Sequence, residues 1–157
     1  MDRPAPNTEW IQGRLLVRID AAAASPASSN SAAFELRGDS EQGELRLNSP
    51  LGTRLATALW APGRVSLTTP DGKREFTSLD EMSVQILGEA LPLAALPDWL
   101  MGKPWPLAAH QPSSQGFEQM GWSVSTVGLA AGLIEARRAA APAAPAVLLR
   151  VKLDGSA

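Results

Sequence analysis

Turn residues cut this chain into short pieces, and within the pieces apolar side chains recur at every second position. Thirteen glycines and thirteen prolines are spread along 157 residues. That leaves little room for long helices and favours brief strands joined by tight turns. Leu15, Val17 and Ile19 alternate with Leu16, Arg18 and Asp20. Phe34 and Leu36 alternate with Glu35 and Arg37 before a Gly38-Asp39 turn, and Leu45 and Leu47 lead to Ser49-Pro50. Leu55, Thr57 and Leu59 share one face of the next piece, with Ala56, Ala58 and Trp60 on the other. Val65 and Leu67 precede the turn Pro70-Asp71-Gly72. The spacing predicts an antiparallel meander that curls into a barrel or sandwich. Between these pieces, Ala21 to Ala32 is an Ala/Ser-rich segment with no packing material and reads as a loop.

The period changes at Thr77. Ser78 and Glu81 stand at capping-box spacing, and Leu79, Met82, Ile86 and Leu87 follow at helical spacing up to Gly88. A second apolar segment, Leu93 to Met101, holds Leu93, Leu96, Trp99 and Leu100 around Pro97 and stops at Gly102. Residues 104–115 read as loop. Trp122, Val124 and Thr126 resume the strand pattern, as do Ile134, Ala136 and Arg138. An Ala/Pro linker from Ala139 to Ala146 leads to a last strand with Val147, Leu149, Val151 and Leu153. The whole reads as a single domain over residues 1–157, with two short helices set between strands.

Composition removes most enzyme chemistry. There is no cysteine and one histidine, His110. Disulfides, thiolate metal sites, Cys nucleophiles and a lipid carried on a Cys of these residues are therefore excluded, and so is a His-rich metal site. His110 has no carboxylate or hydroxyl patterned around it and reads as a solvated loop residue. Asp80 and Glu81 fit the first turn of a helix better than an acid/base pair. Arg137 and Arg138, adjacent on a strand, point to opposite faces and read as solvated. No phosphate loop, nucleophile elbow or metal-ligand spacing occurs. A net charge of −2 with scattered basic residues argues against nucleic acid. The sequence contains no run of the roughly 18 apolar residues that a spanning helix needs. Nor do its first residues show the pattern of a secretory signal, so the chain as given reads as soluble. The expectation is a protein that is not an enzyme and uses no cofactor.

Two features remain. The helical pair gathers apolar side chains that either plug a barrel's end or roof a ligand site, and pattern alone leaves both open. In Asn48-Ser49-Pro50-Leu51-Gly52-Thr53, a leucine sits at a turn between Pro50 and Gly52 with no strand neighbour to pack on. It should be exposed.

Taken in order, the segments GRLLVRI (Gly13–Ile19), AFELRG (Ala33–Gly38) and GELRLNSPLGTRLATALWAPGRVSL (Gly43–Leu67) resemble the LolB family of bacterial outer-membrane lipoprotein receptors. So do LDEMSVQILGEALPLAALPDWLMGKPWP (Leu79–Pro106) and GWSV (Gly121–Val124). The most specific pieces are NSPLGT, the Leu-Gly and Leu-Pro pairs of Leu87–Pro92, and Trp99-Leu100 with Gly102 and Pro104. The resemblance implies a mainly β (α+β) fold, a half-open antiparallel β-barrel with a lid of short helices over an apolar cavity. It implies a receptor and chaperone, active as a monomer, that accepts acylated lipoproteins from the periplasmic carrier LolA. The receptor then inserts them into the inner leaflet at the periplasmic face of the outer membrane. Met82, Ile86, Leu87, Leu91, Leu93, Leu96, Trp99 and Leu100 become the expected acyl-chain cavity and lid. Pro50, Leu51 and Gly52 become the expected membrane-insertion loop. Two other readings are a soluble LolA-like carrier and a lipocalin-like binder of a small apolar ligand.

Overall fold

The computed structural model describes residues 10–21, 26–87, 89–142 and 144–154, without the side chains of Ile86 and Leu87. Six strands come first: β1 (Ile11–Ile19), β2 (Ser28–Gly38), β3 (Gly43–Asn48), β4 (Arg54–Ala61), β5 (Arg64–Thr69) and β6 (Gly72–Phe76). Two helices follow, α1 (Leu79–Leu87) and α2 (Leu96–Trp99). Five strands close the chain: β7 (His110–Pro112), β8 (Gly116–Gln119), β9 (Trp122–Ser125), β10 (Leu133–Arg138) and β11 (Val147–Leu153). All eleven strands form one sheet in the order β6-β5-β4-β3-β2-β1-β11-β10-β9-β8-β7.

Every adjacent pair is antiparallel, and the two halves of the chain join where β1 meets β11, with Gly13 opposite Leu153 and Ile19 opposite Val147. The free edges are β6 and β7, and the helical segment runs between them. This is a half-open barrel. Its alternating positions account for the curl. Val17, Phe34, Leu36, Leu45, Ala58, Trp60, Val65 and Leu67 from one half lie in the same buried cluster as Phe117, Trp122, Val124, Ile134, Leu149 and Val151 from the other. A flat sheet could not bring those faces together.

The expected strands are present, and the differences have physical causes. Residues 28–32, expected as loop, extend β2, because Ser28 to Ala32 pair with Ile19 to Leu15 along the backbone. Their side chains are small and mostly exposed, so no alternation marked them. On β4 the buried face is Ala58 and Trp60, while Leu55 and Leu59 point out. Strand β6 went unseen because four of its five residues are exposed, Lys73 to Glu75 among them, as suits an edge that must not pair further. His110 lies on the edge strand β7 rather than in a loop. The helix expected over Leu93 to Met101 shrinks to one turn, α2, which has Pro97 near its start. Strand β8 was hidden by chemistry: its inward positions are Phe117 and Gln119, and a glutamine broke the apolar pattern.

Candidate functional site

The lid begins with a capping arrangement set one residue back from the usual form. The Ser78 Oγ accepts from the Glu81 N–H at 3.0 Å, and the Glu81 carboxylate accepts from the Thr77 N–H at 3.3 Å and the Thr77 hydroxyl at 2.9 Å. Asp80 and Glu81 thus serve the first turn of α1. Ser83, only 2% exposed, accepts from the Leu91 N–H at 2.8 Å and donates to the Glu89 carbonyl at 2.9 Å. That folds the segment after α1 back onto it and aims Leu91 inward. The helical segment then turns at Gly102, whose φ of +79° suits glycine. A Cβ there would stand 2.6 Å from Leu129 Cδ2, so the lid lies close against the loop before β10.

Met82, Leu91, Leu96, Trp99 and Leu100 are all buried, and Leu93 packs half-buried on the same cluster. The side chains of Ile86 and Leu87 lie outside the described residues. Trp99, the largest of them, is 1% exposed and meets Phe117 and Trp122 edge-on at centroid distances of 6.0 and 6.5 Å. The lid's apolar face therefore fills the barrel's interior. The lid is closed.

Two polar fastenings hold it, and the sequence reading missed both. Gln119 on β8 is 2% exposed. Its Oε1 accepts from Trp99 Nε1 at 2.8 Å and from the Trp105 N–H at 2.9 Å. Its Nε2 donates to the carbonyls of Trp105 at 2.7 Å and Ala108 at 2.9 Å. All four hydrogen-bonding positions of the amide are used. The signal was a lone polar residue at an inward strand position. The second fastening is Arg138 on β10. Its Nη2 donates to Glu89 Oε1 at 2.5 Å and to the Pro145 carbonyl at 2.9 Å, and its guanidinium lies over the Trp122 ring. Arg138 is thus an ion-paired residue, whereas Arg137 is exposed.

At the other end of β3, the turn to β4 supports itself. The Ser49 N–H donates to the Thr53 carbonyl at 2.8 Å, the Gly52 N–H to the Ser49 carbonyl at 2.9 Å, and the Thr53 N–H to Ser49 Oγ at 3.1 Å. Gly52 has a φ of +90°, which its lack of a side chain permits. Pro50, Leu51 and Gly52 are all exposed, and Leu51 is 95% exposed. Local hydrogen bonds fix the turn, so the leucine contributes to no core.

Two charged groups depart from their ordinary titration. Burial raises the Glu44 carboxyl, but hydrogen bonds and charge from Arg46 and Arg37 outweigh it and hold Glu44 below its usual range. Burial raises Asp98, helped by the charge of Asp39 and opposed by Lys103. Among the described residues no group of His, Asp or Glu could hold a metal ion. The His110 ring meets the Phe117 ring edge-on at 6.5 Å.

Two grooves open on the first half of the barrel, one of them against the helical segment. One groove, about 540 Å³, runs past Arg37, Glu44, Leu59, Arg64 and Lys73. A more apolar one, about 450 Å³, lies between the start of α1, the 92–95 segment and the β4–β5 turn, with Trp60, Leu79, Ala94, Ala95, Trp105 and Met120 in its walls.

Comparison with known proteins converges on one family. The family model described as outer membrane lipoprotein LolB matches residues 10–138. The outer-membrane lipoprotein LolB of Chromobacterium violaceum is 33% identical over 116 residues, covering 73% of this chain and 61% of that protein. That of Bordetella petrii is 34% identical over 97 residues, covering 57% and 49%. That of Cupriavidus pinatubonensis is 37% identical over 97 residues, covering 55% and 47%. The chain thus spans about half to three fifths of the length of these relatives.

Proposed function

The chain belongs to the LolB family of outer membrane lipoproteins, and from that premise we propose that it is a non-enzymatic receptor for acylated lipoproteins. It takes them from the periplasmic carrier LolA and passes them to the inner leaflet of the outer membrane. The relatives' description as outer-membrane lipoproteins supports that location. No helix among the described residues is long and apolar enough to cross a membrane.

The observation that carries the reading is the closed lid. Five large apolar side chains of the helical segment, Met82, Leu91, Leu96, Trp99 and Leu100, occupy the interior of a barrel that is open along one side. Uncovering them costs roughly 1.5–3 kcal/mol each, on the order of 10 kcal/mol together. One acyl chain of about fifteen methylenes, at ~0.8 kcal/mol apiece, offers about 12 kcal/mol in return. Lid and chain are thus near-equal occupants of one apolar space. Such a balance lets a chain enter without being trapped. Delivery then needs only a bilayer that holds the chains better still, and Leu51 at its exposed turn is the group that enters the interfacial region first.

Capture is tested by mixing the purified protein with an acylated peptide and the same peptide without its acyl groups. Binding of the first alone supports the reading. Equal binding of both overturns it, because the interior would then have no part in recognition.

A further inference from the structure

We propose that the groove beside the lid is a subsite for the carbonyl end of an acyl chain, with the Trp105 indole N–H as its hydrogen-bond donor. This rests on the acyl-receptor reading and adds to it a polar contact that the apolar interior cannot supply.

The observation is an orphan. Trp105 Nε1 is buried, and among the described residues no acceptor lies within reach of it. The neighbouring indoles are satisfied: Trp60 Nε1 donates to the Asp39 carbonyl at 2.8 Å, and Trp99 Nε1 to Gln119 at 2.8 Å. A buried donor without an acceptor costs the closed state the desolvation of that group. Trp105 is also a wall of the apolar groove, together with Trp60, Leu79, Ala94, Ala95 and Met120. Its backbone is fixed, because Gln119 holds both its N–H and its carbonyl. Bringing the N–H to the groove asks only the ring to turn about its side-chain bonds, with the Trp105 backbone held by Gln119.

The groove specifies what it accepts. Its apolar walls suit a hydrocarbon chain, and the unpartnered indole N–H suits an acceptor on that chain. Desolvating a carboxylate against these walls is costly, and the indole offers it only an uncharged donor, so a carboxylate is disfavoured. The ligand group is thus an uncharged carbonyl, an ester or amide at the head of the chain. The chain leads from that head toward the interior under the lid.

The test compares monopalmitoylglycerol with monohexadecylglycerol, its ether analogue, which lacks only the carbonyl oxygen. The unsubstituted protein should prefer the ester by about threefold to tenfold, the range of one neutral hydrogen bond. Trp105→Phe keeps an aromatic ring but no donor, and it should bind both at the affinity of the ether. In parallel, the Trp105 indole N–H resonance, assigned by its loss in Trp105→Phe, should move downfield with ester and stay put with ether. An ester preference that survives in Trp105→Phe, or no preference in the unsubstituted protein, overturns the indole assignment alone. Failure to bind either lipid overturns the acyl reading as well.

Discussion

Trp99 Nε1 donates to Gln119 Oε1 at 2.8 Å, with both residues at most 2% exposed. That bond ties the largest fully buried side chain of the lid to strand β8. The same amide also holds the Trp105 backbone and the Ala108 carbonyl. One side chain therefore fixes the lid's second half. Gln119→Leu should destabilise the protein by about 2–4 kcal/mol, since it leaves buried donors and acceptors without partners. Urea unfolding measures the loss. Hydrogen exchange should show residues 99–108 losing protection while β1 to β3 keep theirs. Unchanged stability in this variant would mean that the lid is held by packing alone.

Arg138 and Glu89 form the other fastening, each 19% exposed. Because the pair is half-buried, removing either partner strands the other. A double-mutant cycle with Arg138→Met and Glu89→Gln should give a coupling of about 1 kcal/mol that shrinks with added salt. A coupling of zero would reduce the contact to a surface ornament.

Leu51 is predicted to matter for delivery and for nothing else. Leu51→Glu should alter stability by no more than about 0.5 kcal/mol, because the turn's hydrogen bonds do not involve the side chain. The variant should still bind acylated lipoprotein, yet release little into liposomes, where a carboxylate opposes entry into the interface. Delivery at the original rate would leave the soluble-carrier reading as the better one.

Two carboxyls give opposite pH dependences. Glu44 titrates below its ordinary 4.5, so the stability from its arginine pairing is present above that value and lost as pH falls through its lowered one. Asp98 is raised above its ordinary 3.8, first by burial and then by Asp39, so its charged form burdens the fold at neutral pH. Asp98→Asn should raise the melting temperature at neutral pH. The gain should vanish below pH 3.8, where the native carboxyl is protonated in folded and unfolded chains alike. An equal gain at both pH values would place the effect in packing rather than charge.

What could be read from the residues follows what they bury. Val17, Phe34, Leu36 and Val124 mark their strands because one face is core and the other is water. The turn at Leu51 was legible because Pro50 and Gly52 leave a leucine nowhere to pack. Residues 28–32 were not, since their pairing is made by backbone atoms, which carry no side-chain signal. The lid's apolar residues were visible, but their fastenings were not. Gln119 lies in a stretch whose apolar alternation it breaks, so that stretch carries no strand signal, and Arg138 reads as half of a solvated pair. Their partners stand 20 and 49 residues away along the chain, and such contacts exist only once the barrel has curled.

The most direct test asks whether an acyl chain replaces the lid's side chains in the barrel. An acylated peptide with a diazirine at the far end of its chain is bound, photolysed and mapped by mass spectrometry. Labels are expected on Met82, Leu91, Leu96, Trp99 or Leu100, removed by excess acylated peptide and not by excess unacylated peptide. Labels confined to the outward-facing Leu55 and Leu59 of β4 would contradict that replacement.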